Sequence, residues 1–319
     1  MADPTTTVLV VYDKPEEFRE ALESRFPGIA FHYATSPDQV EPTLQACNPQ
    51  VAFSIKHLGF PGETHRPLID YPGVKWVQVG GSGYEQFIPW NAERLTLTNS
   101  VGVLSRFLAE TVTGAMLMLN GQFLSYMSQQ KRTQWQPRSF TPICEQTLLV
   151  VGAGAIGGIV ADNAKALGMR VLGLRNSGAA RSSVDEMHTP DALNRLLPEA
   201  DFVSLHVRLS DQTRHLMNRE TFALMKPGAK LINTARGGLV DENALLDALD
   251  SARVGAAYLD VFETEPLPTS SPLWGKGSVF ITPHAADAVP DWPTRFAGFF
   301  GDNLERWVRG ETLVNIVRP

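Results

Sequence analysis

Arg236, Glu265 and His284 carry complementary chemistry, and each stands shortly after a strand-like apolar run. A guanidinium is permanently charged and can grip a carboxylate with two N–H groups. An imidazole titrates near neutrality and can hand over a proton. A carboxylate beside an imidazole favours its charged form and fixes its orientation. Upstream, Gly152-x-Gly154-x-x-Gly157 follows the apolar run 148–151 and precedes a helical stretch over 159–167. A glycine-rich turn between strand and helix lets backbone approach a pyrophosphate, and the helix N-terminus adds free N–H groups and partial positive charge. This context predicts dinucleotide binding at Gly152, Gly154, Ala155, Ile156 and Gly157. With a dinucleotide present, the three side chains suit hydride transfer to a 2-oxo acid. Arg236 would hold the carboxylate and polarise the carbonyl, His284 would supply the proton, and Glu265 would keep His284 charged. Taken singly, Arg236 could be a surface ion pair, Glu265 a loop acid before Pro266, and His284 a satisfied core histidine. Complementary roles at three strand ends, after a fingerprint, argue for a site.

The nature of the dinucleotide turns on the end of the next strand, over 169–174. An NAD-binding unit usually places Asp or Glu about 20 residues past the glycines, on the ribose 2′-OH. Here that place holds Arg175, followed by Asn176 and Ser177. A cation and polar groups suit a 2′-phosphate, so NADP is expected in preference to NAD, with NAD possible. The alternative is that Arg175 stacks over adenine or faces solvent. A second glycine-rich junction, Gly80-Gly81-Ser82-Gly83-Tyr84, follows the run 74–79. Its backbone N–H groups form either a nest for a carboxylate or phosphate or a flexible turn.

Positioning these residues takes an α/β chain. The 319 residues exceed one ordinary core, and two domains are expected. Apolar runs at 8–11, 51–55, 74–79, 148–151, 169–174, 201–205, 229–233, 255–260 and 279–282 alternate with helical spacing at 15–26, 107–126, 190–197, 218–225, 241–249 and 292–309. That alternation implies parallel βα units, with ligands beyond the carboxyl ends of the strands, where His206, Asn233, Arg236, Asp260, Glu265 and His284 lie. The long stretch 107–126 is expected to be a mostly buried helix bridging the domains, with Met116 and Met118 in its core. A net charge of -6 argues against non-specific nucleic-acid or membrane partners. Two cysteines, Cys47 and Cys144, in no metal-ligand spacing, suggest a reducing compartment. With no signal peptide or membrane-length apolar run in view, a cytoplasmic location is expected.

The motifs Asn233-Thr-Ala-Arg-Gly-Gly-Leu-Val-Asp241, Asp260-Val-Phe-Glu-Thr-Glu-Pro-Leu-Pro268, Thr282-Pro-His-Ala285 and Leu205-His-Val-Arg-Leu-Ser-Asp-Gln-Thr213 resemble signatures of the D-2-hydroxyacid dehydrogenases. The match runs along nearly the whole chain, and within that family the chain looks most like the glyoxylate and hydroxypyruvate reductases, which generally use NADPH. The resemblance implies two doubly wound parallel-sheet domains: a Rossmann cofactor domain over 101–287, and a flavodoxin-like substrate domain from 1–100 plus 288–319. It implies an Arg–Glu–His set at Arg236, Glu265 and His284, and substrate contacts from Gly81, Ser82, Gly83, Arg236 and His284. Around the cofactor it places His206, Val207, Arg208, Thr213, Thr234, Ala235, Arg236, Asp260, His284 and Ala286. It also implies a small 2-oxo or 2-hydroxy acid as partner, closure of the site over its ligands, and a homodimer built around the long helix. Further pocket residues are expected around 56–59 and Tyr84, with Trp135 or Trp292 from a neighbouring element. Two departures stand out. Arg208 occupies a position where the family commonly has Pro, and could touch a phosphate or face solvent. Asp287 replaces the usual Gly, and either perturbs the site's electrostatics or caps the last helix. Two rivals are a dinucleotide-sensing scaffold and an NAD-dependent enzyme acting on formate or a phosphonate. A phosphoglycerate dehydrogenase with a regulatory extension is disfavoured because the chain ends at Pro319, soon after the last helix.

Overall fold

The computed structural model describes residues 6–57 and 59–319. Leu58, within the expected pocket stretch 56–59, and the first five residues lie outside the described residues. The chain divides into two compact units, Met1–Val103 with Val289–Pro319, and Leu104–Ala288.

The first unit starts with β1 (Thr7–Val11), whose run from Val8 to Val11 is fully buried. An unbroken apolar run fits a parallel strand covered on both faces. The helix expected over 15–26 is instead a 3₁₀ turn (Pro15–Glu17) followed by α1 (Arg19–Arg25). Between them Phe18 leaves helical geometry (φ −144°) and turns its ring into the core against Tyr12 and Phe53. Then come β2 (Ala30–Ala34), α2 (Val40–Cys47), β3 (Val51–Ser54), α3 (Pro67–Asp70), β4 (Trp76–Val79) and β5 (Thr96–Thr98).

The second unit opens with α4 (Ser105–Asn120) and α5 (Phe123–Lys131). These replace the single expected helix over 107–126, because the chain breaks at Gly121 and at Gln122, which adopts a left-handed conformation (φ 55°). Met116 is buried on α4, and Met118 packs against the same core. By contrast Phe123, Tyr126 and Met127 on α5 are exposed, so the stretch is not buried throughout. The unit continues through β6 (Thr147–Val151), α6 (Ala155–Ala166), β7 (Arg170–Leu174), β8 (Glu186–His188), α7 (Leu193–Leu196), β9 (Phe202–Leu205), α8 (Arg219–Leu224), β10 (Ala229–Asn233), α9 (Glu242–Asp250), β11 (Val254–Leu259) and β12 (Val279–Ile281). Its sheet is parallel throughout, in the order β12-β11-β10-β9-β6-β7-β8. Six of these strands form the doubly wound Rossmann order, which reverses direction between β6 and β9. Alternate side chains of each strand enter opposite cores. Leu148, Val150, Val171, Phe202 and Ile232 pack with α4 and α6, while Leu149, Val151, Leu172, Val203 and Leu231 pack with α7, α8 and α9. That is the two-residue period of a strand buried on both sides.

The chain then returns to the first unit with α10 (Trp292–Val308) and β13 (Ile316–Val317). The first unit's sheet has the order β13-β5-β4-β3-β1-β2, a flavodoxin-like sheet with β13 added antiparallel to β5. Phe300 of α10 stacks on Phe53 at 4.6 Å and meets Trp76, closing that face of the sheet. On the other face Leu9, Val11, Ala52, Val77 and Val79 pack with Val40, Leu44, Leu68 and Ile69. Among the described residues no helix is long and apolar enough to cross a membrane.

Candidate active site

The glycine fingerprint joins β6 to α6, and each glycine has a distinct physical reason. Gly152 takes φ 99°, and a Cβ there would lie 2.6 Å from the His206 carbonyl oxygen and 2.8 Å from Val207 Cγ1. A Cβ on Gly157 would lie 2.3 Å from the Gly152 carbonyl oxygen and 2.8 Å from Val150 Cγ1. Both are therefore required for strand, helix and neighbouring loop to close-pack. Gly154 is different: a Cβ there meets nothing within 4 Å and points into open space. Because α6 begins at Ala155, the N–H groups of Ala155, Ile156 and Gly157 have no intrahelical acceptor. This cradle fits a pyrophosphate.

Arg175 is the first residue past β7. Its N–H donates to the His188 carbonyl (2.9 Å) and its carbonyl accepts from Gly178 N (2.9 Å), which anchors the backbone. The side chains of Arg175, Asn176 and Ser177 are all exposed. Across the switch point, past β9, His206 is held by Ser204 Oγ at 2.8 Å from Nε2, and burial pushes its pKa down to about 4. It is neutral and contributes no cation. Val207 packs on the glycine turn, and Arg208 is exposed. Thr213, expected at the cofactor, uses its hydroxyl to close its own loop, donating to the Arg208 carbonyl (2.6 Å) and accepting from Ser210 N (2.8 Å).

Arg236 is set by Asn233, fully buried at the end of β10. Asn233 Oδ1 accepts from Ala235 N (3.1 Å) and its Nδ2 donates to the Arg236 carbonyl (2.9 Å), folding a tight turn through Thr234 and Ala235. Thr234 Oγ1 is buried with no hydrogen-bond partner among the described residues. Nη1 of Arg236 donates to the Ala235 carbonyl (2.7 Å), which fixes the side chain's departure from the turn.

His284 Nδ1 meets Glu265 Oε2 at 2.8 Å, and Glu265 Oε1 accepts from Phe262 N at 3.0 Å. The hydrogen bond to Glu265 raises the His284 pKa against the opposing effect of burial, and the Glu265 charge adds to the rise. Burial pushes the Glu265 carboxyl up, yet the bonds from His284 and Phe262 and the charges of His284 and Arg236 hold it below its ordinary range. Arg236, Glu265 and His284 therefore share one electrostatic neighbourhood, as expected from their chemistry. His284 adopts φ 52°, a conformation that costs a non-glycine residue roughly 1–3 kcal/mol. Asp260, 2 % exposed, imposes it. Its carbonyl accepts from His284 N (2.8 Å), and its carboxylate accepts from Thr282 Oγ1, Ala285 N (2.8 Å) and Ala286 N (3.1 Å).

Asp260 shapes the His284 loop, with both carboxylate oxygens occupied. Ala286 is buried, its N–H taken by Asp260 and its carbonyl by Thr111 Oγ1 (2.7 Å), leaving only its methyl for apolar contact. Asp287 does not cap the last helix, whose N-cap is Asp291. Burial raises the Asp287 carboxyl, Asp260 adds to the rise, and His284 and Arg236 oppose it, so it belongs to the site's electrostatics. Sequence reasoning missed Glu242 and Glu263, joined by a bond from Glu263 N to Glu242 Oε1 (2.8 Å) two residues before Glu265. The only sequence signal was an acid after Asp241 and another two positions before Glu265.

In the first unit, the Gly81 carbonyl accepts from Ser100 N (2.8 Å) and the Ser82 carbonyl from Asn99 Nδ2 (2.9 Å). The N–H groups of Gly81, Ser82 and Gly83 find no protein acceptor among the described residues. Tyr84 is not a pocket surface but core, edge-on to Trp90 at 5.8 Å. Trp292 packs within its own unit, against Tyr12 and Phe296. Trp135 is 96 % exposed.

Residues 113–286 match the family model described as D-isomer specific 2-hydroxyacid dehydrogenase, NAD binding domain. The chain is 34% identical over 322 residues to glyoxylate/hydroxypyruvate reductase B of Escherichia fergusonii, covering 98% of each. It is 35% identical over 229 residues to D-3-phosphoglycerate dehydrogenase of Methanocaldococcus jannaschii, spanning 70% of this chain and 43% of that longer protein. In structure it is similar to the NADPH-dependent glyoxylate/hydroxypyruvate reductase of Sinorhizobium meliloti in complex with NADP and sulfate, with a TM-score of 0.83, 26% identity and 98% of both chains covered. A doubly wound cofactor fold, a glycine cradle and an Arg–Glu–His neighbourhood thus meet a family match over more than half the chain: the protein belongs to the D-isomer specific 2-hydroxyacid dehydrogenases.

Proposed function

We propose that the protein reduces a small 2-oxo acid of the glyoxylate or hydroxypyruvate type to the D-2-hydroxy acid, with NADPH preferred and NADH possible. The observation that carries this reading is the 2.8 Å contact between His284 Nδ1 and Glu265 Oε2 beside Arg236. With Nδ1 committed to Glu265, Nε2 is the atom that gives a proton to the carbonyl oxygen. Glu265 stabilises the charged donor before the transfer and keeps the ring oriented through it. The His284 side chain is 52 % exposed, so water can reprotonate it after turnover. Arg236 supplies a permanent positive charge for the substrate carboxylate and the carbonyl dipole. The unsatisfied amides of Gly81, Ser82 and Gly83 are the second carboxylate-binding group in this reading. A reduced nicotinamide, when bound, supplies the hydride. Gly152, Gly154, Ala155, Ile156 and Gly157 would hold its pyrophosphate, and Arg175, Asn176 and Ser177 a 2′-phosphate.

The reading extends to a cytoplasmic homodimer. Leu117 on α4, Phe123, Tyr126 and Met127 on α5, and Trp135 and Phe140 in the following loop are large apolar side chains left exposed in one stretch. Exposed apolar side chains in such concentration mark interaction surfaces. The function is tested by steady-state kinetics on glyoxylate, hydroxypyruvate and larger 2-oxo acids with both cofactors, alongside His284→Ala. Turnover in the wild type that His284→Ala largely abolishes, while cofactor binding survives, is the expected result. Full turnover by His284→Ala across the pH range rules out the proton-donor role, and complete silence of the wild type favours a dinucleotide-sensing scaffold.

A further inference from the structure

Three segments of the second unit meet behind the Glu265–His284 pair. The first is the turn after Arg236. A Cβ on Gly237 would lie 1.8 Å from the carbonyl carbon of Phe262 and 2.4 Å from the nitrogen of Glu263. The backbone that follows Arg236 is thus pressed directly onto the backbone that leads to Glu265. The second is the start of α9, where Glu242 Oε1 accepts from Glu263 N at 2.8 Å. The third is the loop after β9, where His215 Nε2 meets Glu263 Oε1 at 2.7 Å and His215 N donates to the Gly238 carbonyl at 2.8 Å. Glu263 is therefore held at its backbone by Glu242 and at its carboxylate by His215. One residue earlier, Phe262 N grips Glu265 Oε1.

From this juxtaposition we infer that Glu242 and Glu263, with His215, are positioning residues that aim Glu265 at His284. The inference rests on the reading of His284 as proton donor for its consequence in turnover, but its physical content does not. A short turn from 262 to 265 carries the Glu265 carboxylate. If Glu263 loses its backbone acceptor, that turn gains freedom and the Glu265–His284 bond becomes one of several conformers. His284 then keeps less of the stabilisation of its charged form. The titratable and charged groups facing the joint are Glu242 and His215 on Glu263, Arg236 and His284 on Glu265, and Arg236, Asp260 and Asp287 around His284. Burial raises the Glu242 carboxyl, the bond from Glu263 N opposes that rise, and the nearby Glu263 carboxylate adds a smaller upward push.

The test is the titration of the His284 imidazole followed by NMR, in the wild type, Glu242→Ala, Glu242→Gln and His215→Ala, with turnover measured in parallel. In the wild type the bond to Glu265 raises the His284 pKa above its ordinary value. Glu242→Ala is expected to move it down towards that value, to lower kcat about tenfold and to leave the cofactor KM within about twofold, as loss of one orienting bond to a general acid should. Glu242→Gln retains an acceptor oxygen and restores both readouts, and His215→Ala gives a smaller shift of the same sign. An unmoved His284 titration in folded Glu242→Ala overturns the inference, as does a Gln variant that fails as completely as the Ala variant. If Glu242→Ala does not fold, His215→Ala decides, and an unmoved titration there overturns it equally. A titration that shifts as expected in a protein that reduces no 2-oxo acid keeps the brace and removes the proposed function.

Discussion

Replacing Glu265 with Gln isolates the charge in the proposed donor pair. Gln keeps the length of the side chain, and its carbonyl can still accept from Phe262 N, where Glu265 Oε1 now sits at 3.0 Å. Its amide would face His284 Nδ1 as a donor and so favour the neutral imidazole. His284 has a raised pKa, so its charged form persists as pH rises above 6.5 and is lost only through the higher folded value. Glu265 has a depressed pKa, so its charge persists as pH falls below 4.5 and is lost only through the lower folded value. The charged pair spans the window between those two folded values, and its contribution to stability disappears on either side. The two side chains are 52 % and 36 % exposed, so solvent screens the interaction. An exposed pair of this kind contributes at most about 1 kcal/mol, or ~0.7 of a pH unit in His284. Reduction needs the protonated imidazole, so Glu265→Gln should move the alkaline limb of kcat to lower pH by about that amount. It should also lower the maximum by about ten- to a hundredfold, from loss of the ring's orientation. The assay is nicotinamide oxidation with a saturating 2-oxo acid across pH. An alkaline limb that stays in place or moves to higher pH refutes the assignment of Glu265 as the partner that keeps His284 charged.

Other perturbations read other parts of the molecule. Arg175→Asp should reduce the kcat/KM preference for NADPH over NADH by roughly tenfold or more, the size of one lost charge-assisted bond, and an unchanged preference sinks the 2′-phosphate assignment. Gly157→Ala would force a Cβ to within 2.3 Å of the Gly152 carbonyl oxygen. We expect a loss of about 2–4 kcal/mol in urea denaturation; a loss below about 0.5 kcal/mol would show that α6 can shift at little cost. Gly154→Ala, with open space around the added methyl, should leave stability nearly unchanged and weaken dinucleotide binding, so normal cofactor affinity in that variant would remove Gly154 from the cradle. Phe123→Asp combined with Met127→Asp places charges on the exposed face of α5 and should give a monomer in sedimentation velocity; a dimer that survives both puts the interface elsewhere.

Much of the site was legible before any coordinates because it depends on local chemistry. Strands such as 148–151 and 229–233 announce themselves by unbroken apolar runs, and the glycines by their place between a strand and a helix. The short edge strands β2, β8 and β13 escaped notice because they are buried on one side at most and carry mixed side chains. The break at Gln122 escaped notice because nothing in its residue type demands a left-handed backbone; its surroundings do.

The sequence by itself determined the inventory: a parallel α/β chain, a phosphate cradle, and a cation, an acid and a histidine at successive strand ends. Those follow from periodicities of two and 3.6 residues and from side-chain chemistry, both of which are local. Only the tertiary structure decided what aims them. Asp260 holds the His284 loop across 24 positions of chain, through two carboxylate oxygens and a carbonyl, and forces His284 into φ 52°. Glu242 and His215 reach Glu263 from 21 and 48 positions away. Such bonds exist only once β10, β11 and their loops have packed, because the energy that selects them comes from contacts between segments that no spacing in the chain encodes.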